Sequence, residues 1–101
     1  MNFQVFWQVL PRKISETKEF STLKRHTKFT ATYSNGVVVV RPDKTRFQRP
    51  IHYRDFSRVW NKAKTLSNSE RFNPVNYQEE TFHASYILAL IKSIIMNDTI
   101  E

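Results

Sequence analysis

The sequence of 101 residues predicts an α+β fold, in which a three- to four-stranded antiparallel meander packs against N-terminal, middle and C-terminal helices. Two observations indicate this class. Residues 28–33 alternate polar and apolar side chains and lead into an Asn35-Gly36 pair, which is typical of a β-hairpin. The flanking segments repeat their apolar residues every three or four positions, as helices that bury one side do. No internal repeat or low-complexity tract is present, so residues 1–101 are expected to form a single domain.

The first helix is predicted from an apolar stripe at positions i, i+3, i+4 and i+7, with Asn2 as its N-terminal cap. The stripe consists of Phe3, Phe6, Trp7 and Leu10. Pro11 is expected to end this helix, because proline lacks the backbone N–H that a helix interior needs. Residues 12–19 would then form a polar connector. Three large aromatic side chains on a short helix favour packing on the sheet over contact with a partner chain.

The hairpin is expected to follow a short edge strand within residues 19–24, in which Phe20 is buried. Asn-Gly tolerates the positive φ angles of a two-residue turn, and Gly36 is the only glycine of the chain. This turn places Ser34, Tyr33, Ala31 and Thr30 opposite Val37, Val38, Val40 and Arg41. The resulting core face consists of Phe29, Ala31, Tyr33, Val38 and Val40. The opposite face consists of Lys28, Thr30, Thr32, Val37, Val39 and Arg41.

A further strand is predicted after a turn at Pro42-Asp43-Lys44-Thr45, where proline presets φ and aspartate bonds to the backbone. We expect Val40 to pair with Phe47, and Arg41 with Arg46. This register puts Phe47 and Ile51 on the core face, Arg46 and Gln48 on the outer face, and Arg49 near the edge of the core. A shift by one residue would invert every one of these facings.

Two more helices complete the predicted fold. The middle helix begins at His52 or Tyr53 and buries Phe56, Val59, Trp60 and Ala63. Its opposite side presents Arg54, Arg58, Asn61, Lys62 and Thr65. A polar linker over residues 67–74 inserts Phe72 into the core, and residues 76–79 resemble a capping box. The last helix, from about 81 to 96, is apolar nearly all round, which predicts a central position or partial cover by another subunit.

The positive charge is concentrated in the middle of the chain. The formal net charge is +7, from 16 basic and 9 acidic residues. Residues 24–64 contain eleven Lys and Arg against Asp43 and Asp55, a balance of +9, whereas the remainder has five basic and seven acidic residues, a balance of −2. Such asymmetry indicates a polyanionic partner, most often nucleic acid. The alternative is that these charges are only the solvated surface of a small basic protein.

Two surfaces are candidates for nucleic-acid binding: the outer face of the sheet and the exposed side of the middle helix. Lys and Arg neutralise phosphates, and Arg and Asn also match the edges of guanine and adenine. The predicted nucleic-acid-binding residues are Lys24, Arg25, Lys28, Arg41, Lys44, Arg46, Arg49, Arg54, Arg58, Asn61 and Lys62. Duplex DNA is favoured over RNA and over single strands, because Phe29, Tyr33 and Phe47 are predicted to face the core and no RNA-binding aromatic motif is present.

Two alternatives stay open. The first is a protein-interaction module, including a homodimer, that docks through its apolar helices. The second is a metal-independent ribonuclease of the bacterial toxin type, in which the contiguous residues His52, Tyr53, Arg54 and Asp55 would move protons. A structural role of His52 as a cap or turn residue is favoured over a catalytic one. We assign no catalytic residue, and an enzyme is the less favoured class.

Several classes are excluded or disfavoured by composition. The chain has no cysteine, so neither disulfides nor thiolate metal sites can form. His26, His52 and His83 are too far apart in sequence to form a ligand pair of the usual spacing, so no metal or other cofactor is predicted. The longest apolar run is shorter than the roughly 20 residues that cross a bilayer. The N-terminus lacks the pattern of a secretory signal, and a cytoplasmic protein is expected.

Overall fold

A computed structural model describes residues 1–45 and 47–101 of the chain. Within these residues, a four-stranded antiparallel meander packs against four α-helices, which confirms the predicted α+β class. The elements are α1 (Phe3–Glu16), β1 (Phe20–Ser21), β2 (Lys28–Ser34), β3 (Val37–Pro42), β4 (Arg49–His52), α2 (Tyr53–Ala63), α3 (Asn68–Arg71), a 3₁₀ helix (Pro74–Tyr77) and α4 (Ala84–Ile95).

The central hairpin has the predicted register. Ser34, Tyr33, Ala31 and Thr30 lie opposite Val37, Val38, Val40 and Arg41. Asn35 and Gly36 have φ angles of 51° and 80°, as a two-residue turn of this kind requires. The predicted core face is also confirmed, since Phe29, Val38 and Val40 are buried and Ala31 and Tyr33 pack against the core. β1 pairs Phe20, which is buried, with Phe29 and forms the predicted edge strand.

The predicted register of the last strand is wrong by two residues. Val40 lies opposite Arg49, not Phe47, and Val38 lies opposite Ile51. The predicted register would have carried Ile51 beyond the end of β3, to the level of Gly36, whereas the observed one buries it in the core. Because the error is an even number, Ile51 and Arg49 keep their predicted facing. The predicted pairing and outer position of Arg46 lie outside the described residues.

Phe47 is consequently not a core residue. It lies in the loop between β3 and β4, and 75% of it is exposed. β4 itself is an edge strand that contains Pro50. Proline has no backbone N–H, and an edge strand tolerates it at positions that face away from the neighbouring strand. β4 begins at Arg49, three residues later than the predicted start of this strand.

The first helix extends through Pro11 to Glu16, beyond its predicted end. The predicted cap is confirmed, because the Asn2 side chain accepts a hydrogen bond of 2.9 Å from the Val5 backbone N–H. Ile14, one turn beyond Leu10, is buried. Its burial contributes about 1.5–3 kcal/mol, comparable to the roughly 3 kcal/mol that an interior proline costs. The burial of the apolar stripe therefore offsets the helix-breaking effect of Pro11.

The middle helix α2 agrees with its prediction. It begins at Tyr53, and Phe56, Val59, Trp60 and Ala63 are fully buried. Aromatic rings join it to α1, since the Phe6 and Trp60 ring centroids lie 5.1 Å apart. α4 contacts α1, α2 and β1 and buries seven of its residues, so its predicted central position is confirmed. Within the described part of the chain, no helix has the length and apolar character to cross a membrane.

The segment before α4 differs from the prediction. The linker contains α3 and the 3₁₀ helix. Asn73 caps the 3₁₀ helix, because the Asn73 side chain accepts a hydrogen bond of 3.2 Å from the Val75 N–H. No capping box forms at residues 76–79, and α4 begins only after His83. Tyr77, at the end of the 3₁₀ helix, is fully buried, so this part of the predicted cap packs into the core. Phe72 packs against the core, as predicted.

Candidate nucleic-acid interface

The meander brings basic residues from several segments to one end of the sheet. Register places the start of β2, the end of β3 and the start of β4 together, and the Asn35-Gly36 turn at the opposite end. The β1–β2 and β3–β4 loops cross this same end. We call it the basic end; its described basic residues are Lys24, Arg25, Lys28, Arg41, Lys44 and Arg49.

Few acidic groups oppose this charge. Lys28 Nζ lies 3.7 Å from Glu19 Oε1, in an exposed ion pair that contributes little energy in water. Asp43 is the other carboxylate nearby, in the β3–β4 loop. The other five basic side chains form no ion pair with a described residue, and four of them are exposed. With six basic side chains and these two carboxylates, the basic end has a net positive charge.

The β1–β2 loop owes its shape to Thr22, which is buried. The Thr22 N–H donates to the Thr27 carbonyl at 2.9 Å, and the Thr27 N–H donates to the Thr22 hydroxyl at 2.9 Å. The His26 N–H donates to the Thr22 carbonyl at 3.0 Å, with His26 in the left-handed region at φ 55°. These bonds close the loop on its own backbone, so Lys24 and Arg25 point outward from a defined turn. Nothing in the sequence pattern singled out Thr22.

The outer face of the sheet is open and basic only at one end. Lys28, Thr30, Thr32 and Arg41 are exposed, as predicted. Towards the Asn35-Gly36 turn, however, this face is formed by neutral or apolar residues. These are Thr32, Val37, Val39 and Pro50, followed by His52. The charged part of the outer face therefore belongs to the basic end.

The exposed side of α2 presents Arg54, Arg58 and Asn61, as predicted. Lys62 is different, because its Nζ lies 3.7 Å from Glu80 Oε1 and Glu80 is only 17% exposed. This pair ties α2 to the segment before α4 and leaves Lys62 less free to meet a phosphate. We call Arg54, Arg58 and Asn61 the helix face. It belongs to the helical layer, not to the sheet, so the two basic surfaces do not merge into one.

The residues of the ribonuclease alternative have separate surroundings. His52 is exposed at the N-terminal cap position of α2 and makes no capping hydrogen bond through its side chain. Tyr53 packs edge-on against Phe3 and Trp7 of α1, with ring centroids 5.3 and 5.1 Å away. Its ring is thus part of the aromatic packing between α1 and α2. Among the described residues, no three His, Asp or Glu side chains cluster closely enough to hold a metal ion.

Two exposed aromatic residues were missed by sequence reasoning. Phe47 was assigned to the core, and Phe82, which is 99% exposed, was placed inside a helix that in fact begins two residues later. No sequence signal separated Phe82 from that helix, because the segment is apolar nearly all round. An exposed aromatic ring beside basic residues is a platform on which a base can stack.

Comparisons of this chain with protein families, curated proteins and solved structures found no match. Its function is therefore inferred from charge, exposure and geometry.

Proposed function

We propose that this protein binds nucleic acid through its basic end, with the helix face as a second phosphate contact. The observation that supports this most strongly is the convergence of six basic side chains from five chain segments on one end of the sheet, five of them without an ion-pair partner among the described residues. Lys and Arg on such a surface neutralise phosphates and release the counterions condensed on them.

Duplex DNA is the proposed partner. Arg54, Arg58 and Asn61 lie along one side of α2, and seven residues of helix extend about 10 Å. A helix of this kind fits the major groove, which is about 12 Å wide, where Arg and Asn form hydrogen bonds with base edges. The basic end would then contact the phosphate backbone.

A single strand is the second candidate, and the exposure of Phe47 and Phe82 favours it. The sequence argument against a single strand included the burial of Phe47, and that assignment is wrong. Stacking on an exposed ring contributes about 1–3 kcal/mol per base.

The protein-interaction alternative has less support. Phe6 and Leu10 of α1 are buried in the core of this chain, and α4 is enclosed by its own neighbours. The apolar faces on which a partner was to dock are therefore already covered. Sedimentation of the protein at tens of micromolar tests this alternative, since the observation of a monomer would rule out a homodimer.

The proposal is tested by titrating labelled duplex and single-stranded oligonucleotides of one sequence at several salt concentrations. If all six residues of the basic end meet phosphates, the logarithm of the affinity for duplex should fall against the logarithm of salt with a slope of about −5, or −0.9 per contact. Tighter binding of the single strand would favour the second candidate. Absence of binding at low salt, or affinity that does not vary with salt, would contradict the proposal.

A further inference from the structure

A cavity of about 480 Å³ lies beside the basic end. It is bounded by the β1–β2 loop, by residues 72–78 and by the first turns of α4. Lys24, Arg25 and Arg49 are its charged lining residues, and no acidic residue lines it. A volume between about 300 and 1,000 Å³ is typical of sites for small ligands. The charge of the lining selects an anion.

Arg49 is the basic residue that reaches furthest inward. It begins β4 on the core-facing side of the sheet, opposite Val40, and is half-buried. Its guanidinium carbon lies 5.8 Å from the centroid of the Tyr86 ring, in the range of a cation–π contact. Its Nε is buried and has no hydrogen-bond partner among the described residues. A buried donor without a partner is unfavourable. The guanidinium that carries it lines the cavity, and its remaining N–H groups are donors for an anionic oxygen bound there.

Aromatic rings accompany this charge. Tyr86 lines the cavity and is held in place by Phe29, whose ring meets it edge-on with centroids 5.1 Å apart. Phe82, almost entirely in solvent, lines both this cavity and an adjoining cleft of about 350 Å³. The cleft also includes Gln78 and Ser85, which are shared with the cavity and have polar side chains. The exposed Phe82 ring therefore shares the cavity with basic side chains, an arrangement on which a base can stack.

We propose that this cavity binds a nucleotide, with its phosphate at Arg49, Lys24 and Arg25 and its base against Phe82. The combination of arginine for phosphate oxygens and an aromatic face for a planar base matches the two chemical parts of such a ligand. Inorganic phosphate would use only the charged part of the site. The nucleotide comes either from solution, as a mononucleotide, or from an unpaired position of a strand, and in the second case the inference rests on the proposed function.

The test uses calorimetric titration of the full chain at low salt with three probes: adenosine 5′-monophosphate, adenosine and inorganic phosphate. Two variants address the two halves of the site, Phe82→Ala for the base and Arg49→Gln for the phosphate. Met96→Ala and Arg12→Gln are the matched controls. Met96 is exposed at the opposite end of α4, and Arg12 is exposed on α1. Thermal melting of each variant verifies folding, and Phe82→Ala should melt like the native chain because Phe82 is exposed.

Adenosine 5′-monophosphate should bind one site per chain and more tightly than either adenosine or phosphate. Phe82→Ala should weaken nucleotide binding about 5- to 150-fold, the range of base stacking on an aromatic ring, and change phosphate binding less than twofold. Arg49→Gln should weaken both the nucleotide and phosphate by about tenfold or more, because a charge-assisted hydrogen bond is lost. The two controls should bind the nucleotide like the native chain.

Competition identifies the source of the nucleotide. Displacement of a single-stranded oligonucleotide, but not of a duplex, by the mononucleotide would support an unpaired strand position as the ligand. Mononucleotide binding without displacement of either would support a free nucleotide, even if the proposed function failed. Conversely, duplex binding that depends on Arg41 and Lys44 without any saturable mononucleotide binding would overturn this inference and leave the proposed function standing. Equal binding of phosphate and mononucleotide, insensitive to Phe82→Ala, would also overturn it.

Discussion

Tyr77 shows how one buried residue organises the segment before α4. Its hydroxyl donates to the Arg71 carbonyl at 2.6 Å. Arg71 in turn donates from Nε to the Ala63 carbonyl at 2.9 Å and from Nη2 to the Leu66 carbonyl at 3.1 Å. A cation at these carbonyls is favourable, because the C-terminus of α2 carries partial negative charge. Arg71 is thus a structural cation, unlike Lys24, Arg25 and Arg41 of the basic end, which are exposed and form no ion pair with a described residue.

Burial raises the pKa of Tyr77 from 10.0 to about 12, with a further increase from Glu80 and an opposing effect of Arg71. We predict that this tyrosine reduces stability only at alkaline pH. Unfolded tyrosine ionises near pH 10, whereas folded Tyr77 stays neutral, so rising pH favours the unfolded chain. The free energy of unfolding is therefore unaffected by this ionisation below about pH 10, and it falls by roughly 2–3 kcal/mol by about pH 12.

Chemical denaturation of the native chain and of Tyr77→Phe across this pH range measures the effect. The variant should be less stable by about 1–2 kcal/mol near neutral pH, because the hydroxyl that satisfies the Arg71 carbonyl is gone. It should also lose less stability than the native chain between pH 10 and 12. Equal losses in the two proteins would contradict the assignment of this ionisation to Tyr77.

Gly36 supplies a second prediction about a single position. Its φ is 80°, and a Cβ added there would meet no atom within 4 Å. Gly36→Ala should therefore destabilise the chain by about 1 kcal/mol through backbone strain alone. Asn35→Gly is the control, because φ is also positive there and glycine accepts it, so stability should change little. Denaturant titration measures both, and a loss well above 2 kcal/mol for Gly36→Ala would indicate a contact that the structure lacks.

Helix α1 continues through Pro11, although an interior proline usually ends a helix. Pro11 lacks the N–H that would bond to the Trp7 carbonyl, yet the helix continues because Ile14 is buried beyond it. We predict that Pro11→Ala stabilises the chain by about 1–3 kcal/mol, since it restores a helix donor and removes a clash with the preceding turn. The same substitution at Pro50, on the edge strand β4, should be neutral or slightly destabilising. Denaturation midpoints of the two variants are compared with that of the native chain. A shift of both midpoints in the same direction would contradict this account.

The register of strand β4 could not be predicted from the length of the preceding turn. The Pro42-Asp43 signal correctly predicts that the chain reverses after β3, but it does not determine how many residues the loop uses. The register is selected by placing Ile51 opposite Val38, where both are fully buried. That choice moves Phe47 into the loop and exposes it. Packing partners across the sheet, not the local turn, therefore decide which residues near the basic end are free to bind.

The two basic surfaces make separable contributions to the proposed binding. Arg41→Gln with Lys44→Gln removes two exposed charges from the basic end, and we predict a salt slope about 2 units shallower on duplex DNA. Arg12→Gln with Lys18→Gln removes the same charge from exposed positions outside both surfaces and should leave the slope nearly unchanged. Equal effects of the two pairs would mean that only net charge matters, and would argue against a defined interface.

A second pair of variants addresses the helix face. Arg54→Ala and Arg58→Ala should weaken duplex binding without lowering the melting temperature, because both side chains are exposed and form no ion pair with a described residue. If α2 reads base edges, these variants should also reduce discrimination between duplex sequences. An equal loss of melting temperature and of binding would identify the two arginines as structural.

Elements with a strong local pattern were predictable from the residues alone. The Asn35-Gly36 turn fixes its own register through backbone geometry, and the stripe of α2 needs only a spacing of 3.6 residues to define its buried side. The uneven distribution of charge along the chain is likewise a property of the sequence. These predictions succeed because each depends on residues close together in the chain.

The basic end depends on contacts between residues far apart in sequence. Lys28, Arg41 and Arg49 come together only through the pairing of β2, β3 and β4, and that pairing is decided by which apolar residues share the core. The cavity, the exposure of Phe82 and the unpaired Nε of Arg49 follow from the same packing. The sequence thus established that this protein carries a local positive charge on an α+β domain. Where that charge converges was decided by the burial of side chains such as Ile51 and Val38, because their favourable packing outweighs the local preferences of the loop that connects their strands.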